Sequence, residues 1–317
     1  EDGIRDLVRS RGLGDVYKRQ IMYLPFEALI TGDADLEYIN YRNLNYLIYD
    51  LSVGYSHSST LLYSERFKTK APENKVLAFA PHYEDMFDVI DLYTWNRQDV
   101  HDFLLPLPGV IQEVEKIELM VPSRTFYREK ATESNFKKYA SDYNILHLAM
   151  HTRMDDNNPM MSNLVFSQTE DSINDNRLYA HEIYNLQLNA QMAVLSSCAS
   201  GFGNMLRGEG MMSLARGFIY AGCPSIIMTL WQVSDNSSAE LMTSFYKYLK
   251  KGKSKQEALR LAKTKYLKDA DDLKANPYFW SGFVSIGDSS PVYRKSALLY
   301  WGLIIFGCIA MITGAQY

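Results

Sequence analysis

The sequence predicts an α/β protein built on a mostly parallel sheet with helices on both faces. Three observations predict it. Short apolar runs rich in β-branched and aromatic residues alternate with amphipathic helical patterns between residues 21 and 296. No internal repeat is visible across that stretch, so it is not itself a solenoid. With 47% hydrophobic and 22% charged side chains over 317 residues, the chain has enough apolar surface to bury a core and is not of the disordered class.

The strand candidates, in order, are residues 75–81 (KVLAFAP), 144–151 (NILHLAMH), 190–197 (AQMAVLSS), 223–233 (CPSIIMTLWQV) and 279–287 (FWSGFVSIG). Each is an apolar run that contains β-branched or aromatic residues and takes its place in the alternation with helical patterns. Residues 237–250 read as a helix: Leu241, Phe245, Tyr248 and Leu249 share a face, Asn236 or Ser237 can cap the start, and Gly252 follows the end. Residues 255–268 give a second, Ala- and Leu-rich helix, and residues 211–221 a third, entered from a glycine-rich loop. Residues 21–75 are less regular, with 43–55 (NLNYLIYDLSVGY) able to supply further strands.

Both ends differ from the middle. Residues 1–20 carry nine charges and no secretory pattern, and Asp15-Val16-Tyr17-Lys18-Arg19-Gln20 resembles the in-frame translation of a transposon-end sequencing adapter. The stretch is therefore set aside as an assembly scar, the other reading being an amphipathic N-terminal helix. Residues 297–314 (ALLYWGLIIFGCIAMITG) form an uncharged run long enough to span a bilayer, with Arg294 and Lys295 before it and Tyr300, Trp301 and Tyr317 near its edges. A transmembrane helix with the large domain, residues 21–290, in the cytoplasm is expected. A buried C-terminal helix is the competing reading.

The charge of -4, from 33 basic and 37 acidic residues, is interspersed rather than blocked, which argues against direct nucleic-acid binding. Cys198, Cys223 and Cys308 neither pair as a disulfide framework nor form a Cys-x-x-Cys metal motif, so a reducing compartment is expected, with no metal and no cofactor.

Open parallel sheets carry their chemistry at the carboxyl ends of the strands. His151 closes one strand candidate and Cys198 the next, followed by the small-residue turn Ala199-Ser200-Gly201. Adjacent parallel strands lie about 4.8 Å apart, so such ends come within reach of one another. A neighbouring histidine lowers a thiol's pKa by favouring the charged pair, and it can then protonate a departing amine. A cysteine in that position is also read as a small buried hydrophobe. His147 shares parity with His151, but a strand lacks the helical spacing of metal-binding histidine pairs and no acidic third ligand is near in sequence, so His147 reads as a packing residue. Cys223, within an apolar run beside Pro224, reads as structural.

Several ordered blocks resemble the CHAT domains, caspase-like cysteine peptidase domains related to separase and commonly found with tetratricopeptide repeats. They are Leu24-Pro25-Phe26-Glu27-Ala28-Leu29, Leu107-Pro108-Gly109 with Glu113, Ala131-Thr132-Glu133 and His147-Leu148-Ala149-Met150-His151. They continue with Leu195-Ser196-Ser197-Cys198, Gly208-Glu209-Gly210, Ala221-Gly222-Cys223-Pro224, Leu230-Trp231-Gln232-Val233-Ser234-Asp235 and Asn276-Pro277-Tyr278-Phe279-Trp280. The resemblance spans residues 21–288 and implies a caspase-hemoglobinase-like three-layer α/β/α sandwich.

It implies His151 as general base and acid, Cys198 as nucleophile, and backbone N–H groups of Thr152 and Cys198 as the oxyanion hole. Asp235 would hold a substrate Arg or Lys before the scissile bond, a charge-assisted contact. Its other reading is an N-terminal helix cap. A protein or peptide substrate and upstream tetratricopeptide repeats are the implied partners, with the membrane reached through residues 297–314. Two positions depart from the family pattern: Thr152 stands where glycine usually follows the histidine, and Ala199-Ser200-Gly201 follows the cysteine. A catalytically silent interaction or signalling module on the same fold is the rival reading.

Overall fold

In a computed structural model of the chain, residues 24–33, 39–56, 75–83, 106–169, 174–196, 209–231 and 233–293 are described. The backbone of the fold is a six-stranded sheet. Its first strand, β1 (Val76–Ala80), alternates with period two: Val76, Ala78 and Ala80 enter one hydrophobic cluster, while Leu77 and Phe79 enter the other. A strand apolar on both faces is what a sheet covered on both faces demands.

Helix α1 (Pro108–Glu118) follows, with proline at its first turn, where the missing N–H costs nothing. Its Val110, Val114 and Ile117 form the buried stripe. Strand β2 (Ser123–Tyr127) and helix α2 (Glu133–Tyr139) come next, the helix capped by Thr132 Oγ1 accepting from Asn135 N at 3.2 Å. Strand β3 (Ile145–Leu148) is the third strand of the large sheet. An antiparallel three-stranded sheet then branches off, made of β4 (Thr152–Arg153), β5 (Asn163–Val165) and β6 (Arg177–Tyr179).

Helix α3 (Ala180–Ile183) leads to β7 (Met192–Leu195), helix α4 (Glu209–Tyr220) and β8 (Ser225–Thr229). Two long helices close the domain, α5 (Asp235–Lys250) and α6 (Lys255–Asp269). Gly252 between them takes φ +78 just past the end of α5, the left-handed stop that the sequence predicts. A short α7 (Pro277–Trp280) precedes the last strand, β9 (Phe283–Gly287).

The large sheet runs β2-β1-β3-β7-β8-β9, parallel except for β9, which pairs antiparallel with β8. α1, α5 and α6 cover one face with Val114, Phe245 and Leu259 among their buried residues; α2, α3 and α4 cover the other with Phe136, Ile183 and Phe218. The three-layer arrangement is the one expected.

Two expectations need correction. Residues 43–55 form no strand: Tyr41–Asn43 and Leu47–Tyr49 are 3-10 turns, with isolated bridges at Tyr46 and Tyr55. Their apolar residues are there to pack rather than to pair, since Tyr46 meets Trp280 edge-on at 5.0 Å and both are buried. The run from 279 also starts as helix, because Pro277 opens α7 and β9 begins only at Phe283. Residues 1–20 and 297–314 lie outside the described residues. Among the described residues no helix is long and apolar enough to cross a membrane.

Candidate active site

The chain passes from β1 out to β2 and returns to β3 on the other side of β1, so the winding reverses between β1 and β3. Crevices at the carboxyl ends of strands form at such reversals. From β1 the chain continues through Pro81 and His82 to Tyr83; from β3 it continues through Ala149 and Met150 to His151. His151 therefore stands three residues beyond the strand, where β4 begins, and is 3% exposed.

His151 is tied on several sides. Its carbonyl accepts from Val165 N at 3.0 Å, one half of the rung that opposed antiparallel residues exchange. The other half is bridged: His151 N donates to the Tyr83 hydroxyl at 3.0 Å, and that hydroxyl donates to Val165 O at 2.7 Å. The Tyr83 ring also lies 4.6 Å from the imidazole, centroid to centroid, tilted 54°. Burial pushes the Tyr83 phenol pKa up, so the group stays a neutral donor and acceptor. Thr152 pairs with Leu164 at the position between hydrogen-bonded rungs, which turns its N–H away from β5.

Cys198 lies outside the described residues, but both flanks of its segment are held by the arm that carries His151. On the near side β7 pairs with β3 in register Leu148↔Leu195, and Ser196 N donates to Leu148 O at 3.1 Å. Ser196 is two positions from Cys198. On the far side Gly210 N, in the first turn of α4, donates to Asp156 Oδ1 at 3.1 Å. Asp156 belongs to the loop 154–162 between β4 and β5, which braces itself: Asp155 Oδ1 accepts from Asn157 N and Asn158 N, and Ser162 Oγ accepts from Asp155 N at 2.9 Å. A Cβ on Gly210 would fall 2.4 Å from Ser162 Oγ, so the close approach of helix and loop requires the glycine.

Asp235 is the first residue of α5, and Ser234 holds the N-cap position, so the cap reading of Asp235 is corrected by one residue. It is half-buried and packs where a Cβ on Gly109 would come within 2.5 Å of the Asp235 Cβ, joining the start of α5 to the start of α1. It follows β8, the strand beside β7, at the same edge of the sheet as His151. The tryptophan of its block is pinned by the next block, Trp231 Nε1 donating to Tyr278 O at 2.9 Å.

His147 points into the layer of α1 and α5 and is fully buried. Its Nε2 lies 2.9 Å from Glu113 Oε1 and its Nδ1 3.1 Å from the Tyr246 hydroxyl, which fits the packing role expected of it. Glu113 is thus the polar break in the apolar stripe of α1, answered by a histidine from the sheet. Cys223 is also structural: it is buried, its thiol contacts Ser225 O at 3.4 Å, and burial pushes its pKa up to about 12, the reverse of an activated nucleophile. Tyr83, Asp156 and the Glu27–Lys263 ion pair were missed by sequence reasoning. Glu27 alone had a signal, as part of a recognised block.

The CHAT domain family matches residues 13–288. The human and mouse proteins named Tetratricopeptide repeat protein 28 are each 22% identical over 324 aligned residues, covering 92% of this chain but only 12% and 13% of their own lengths. The chain thus corresponds to a small part of those relatives. Among solved structures, the Saccharomyces cerevisiae separase-securin complex aligns with TM-score 0.48 and 15% identity, over 85% of this chain and 15% of that one. The Arg specific cysteine proteinase gingipain R aligns with TM-score 0.40 and 11% identity, over 72% and 51%. Matched from residue 13 to residue 288, the chain belongs to the CHAT domain family.

Proposed function

We propose that the chain is a cysteine endopeptidase with a His151–Cys198 dyad, cleaving after Arg or Lys. The observation that carries this reading is the double tethering of the Cys198 segment to the His151 arm, through Ser196 on Leu148 and Gly210 on Asp156. Described residues on both sides of the Cys198 segment, Ser196 and Gly210, are bonded to the arm bearing the histidine, which is suited to keep thiol and imidazole together. Membership of a family of caspase-like domains supports the same assignment.

In the proposed reaction Cys198 Sγ, as thiolate, bonds to the scissile carbonyl carbon, and the oxyanion is held by the N–H groups of Thr152 and Cys198. The C–N bond then breaks as His151 gives its proton to the leaving amine. Water, deprotonated by His151, hydrolyses the thioester and restores the thiol. Asp235, at the same sheet edge, supplies the carboxylate for the basic side chain.

Upstream tetratricopeptide repeats that regulate the site extend this reading, supported by the names of the relatives. A membrane anchor at residues 297–314, with the domain in the cytoplasm, is supported by that segment's uncharged run and the basic pair before it. The test is hydrolysis of Arg- and Lys-directed peptides by the full chain and by Cys198→Ala. Turnover that disappears in the variant is expected. Equal turnover by both would sink the assignment and leave the silent interaction module as the better reading.

A further inference from the structure

We propose that Tyr83 is a positioning residue that fixes the backbone and imidazole of His151 for the proton transfers of the proposed reaction; this deepens the peptidase reading and rests on it. His151 and Val165 are opposed across β4 and β5, and an ordinary rung would exchange two direct N–H···O bonds between them. Only one is direct, Val165 N to His151 O at 3.0 Å. The Tyr83 oxygen occupies the other, accepting from His151 N at 3.0 Å and donating to Val165 O at 2.7 Å. An inserted oxygen holds the two backbones further apart than a direct bond would, at the residue proposed to carry the proton.

The same side chain acts on the ring, covering the imidazole at 4.6 Å. It comes from the end of β1, across the winding reversal, and so locks two neighbouring strand ends to each other. Tyr83, His151 and Val165 are 5%, 3% and 4% exposed, which leaves little solvent to stand in for the hydroxyl. Without it either the His151 N–H and Val165 carbonyl lose a partner in a buried site, or the strands close to a direct bond. The first loosens the hold on His151 and the second moves it, and displacement of a reacting group by about 1 Å costs about a hundredfold in rate.

The test uses the full chain, Tyr83→Phe and Tyr83→Leu, read by the imidazole NMR resonances of His151 and by kcat and KM on Arg- and Lys-directed peptides. Tyr83→Phe keeps the ring and is expected to shift the His151 resonances and to lower kcat by about tenfold to a hundredfold with KM nearly unchanged. Tyr83→Leu is expected to lower it further. A folded Tyr83→Phe protein with wild-type resonances and wild-type kcat overturns the proposal. Should wild type cleave no peptide, the peptidase reading fails by itself, and the resonances still decide the role of Tyr83. If Tyr83→Phe does not fold, a fluorotyrosine at position 83, which keeps the shape and weakens the acceptor, must shift the same resonances, and unchanged resonances overturn the proposal.

Discussion

Replacing Glu27 by alanine strands a buried charge, and the size of the effect follows from what surrounds it. Glu27 lies in the 3-10 turn Phe26–Ala28, is 4% exposed, and pairs with Lys263 of α6, which is 1% exposed. The second carboxylate oxygen accepts from the Tyr55 hydroxyl at 3.0 Å. In Glu27→Ala the ammonium keeps, among the described residues, only Ser281 O at 3.4 Å, a poor substitute. Breaking one partner of a buried pair costs about 3–5 kcal/mol. At roughly 2 °C per kcal/mol for a domain of this size, Tm should fall by roughly 6–10 °C. Replacing both partners with methionine removes the two charges together and should recover most of that loss.

The same pair has a pH signature. Burial lowers the Lys263 pKa below 10.5, only partly countered by Glu27. Between the folded value and 10.5 the unfolded chain binds more protons, so stability gains as pH rises through that window. Losing Glu27 lowers the folded value further and widens the window. The Glu27→Ala deficit should therefore be largest at neutral pH and shrink toward alkaline pH. Denaturant titrations followed by tryptophan fluorescence, with Trp280 buried nearby, measure all three proteins. A loss under about 1 kcal/mol for Glu27→Ala, or a double variant as unstable as the single one, would refute the account of a stranded buried charge.

Asp235→Asn keeps the side chain's shape against Gly109 and removes its charge, so kcat/KM should fall by roughly tenfold to a hundredfold for Arg and Lys substrates with little change in Tm; an equal fall for substrates with a neutral side chain before the cleaved bond would count against a basic pocket. Asp156→Ala removes the acceptor at Gly210 N and should cost about 0.5–2 kcal/mol of stability, like other lost helix caps. Gly210→Ala should lower Tm more than Gly217→Ala in the same helix, because the new Cβ meets Ser162 Oγ at 2.4 Å in one case and Ile183 Cγ2 at 3.2 Å in the other. Equal losses in thermal scans would show that the approach of helix and loop is not tight.

The parallel core was legible because its strands are apolar on both faces, as in Val76–Ala80 and Met192–Leu195, and few other structures want such runs. The edge strand Ser123–Tyr127 was not, since its residues are half-exposed and its polar Ser, Arg and Thr break any apolar run. Residues 43–55 misled for the opposite reason, with strand-like aromatic and branched residues whose burial is satisfied by α6 and Trp280 instead of by pairing.

The candidate site divides along the same line. Asp235 is named only through the resemblance of the block Leu230 to Asp235, whereas His151 and Cys198 could be named as candidates from sequence because their chemistry is particular to their residue types and strand ends are where such groups gather. Tyr83 could not, because a tyrosine near the end of an apolar run is ordinary, and its two backbone partners lie 68 and 82 residues away. The hydroxyl becomes informative only once the register is known, since it is the pairing of Thr152 with Leu164 that makes His151 and Val165 opposed and their missing second bond visible. Supporting groups of this kind follow from the pairing of strands distant in sequence, so sequence offers candidate reacting residues first, and the residues packed around them become visible only in the fold.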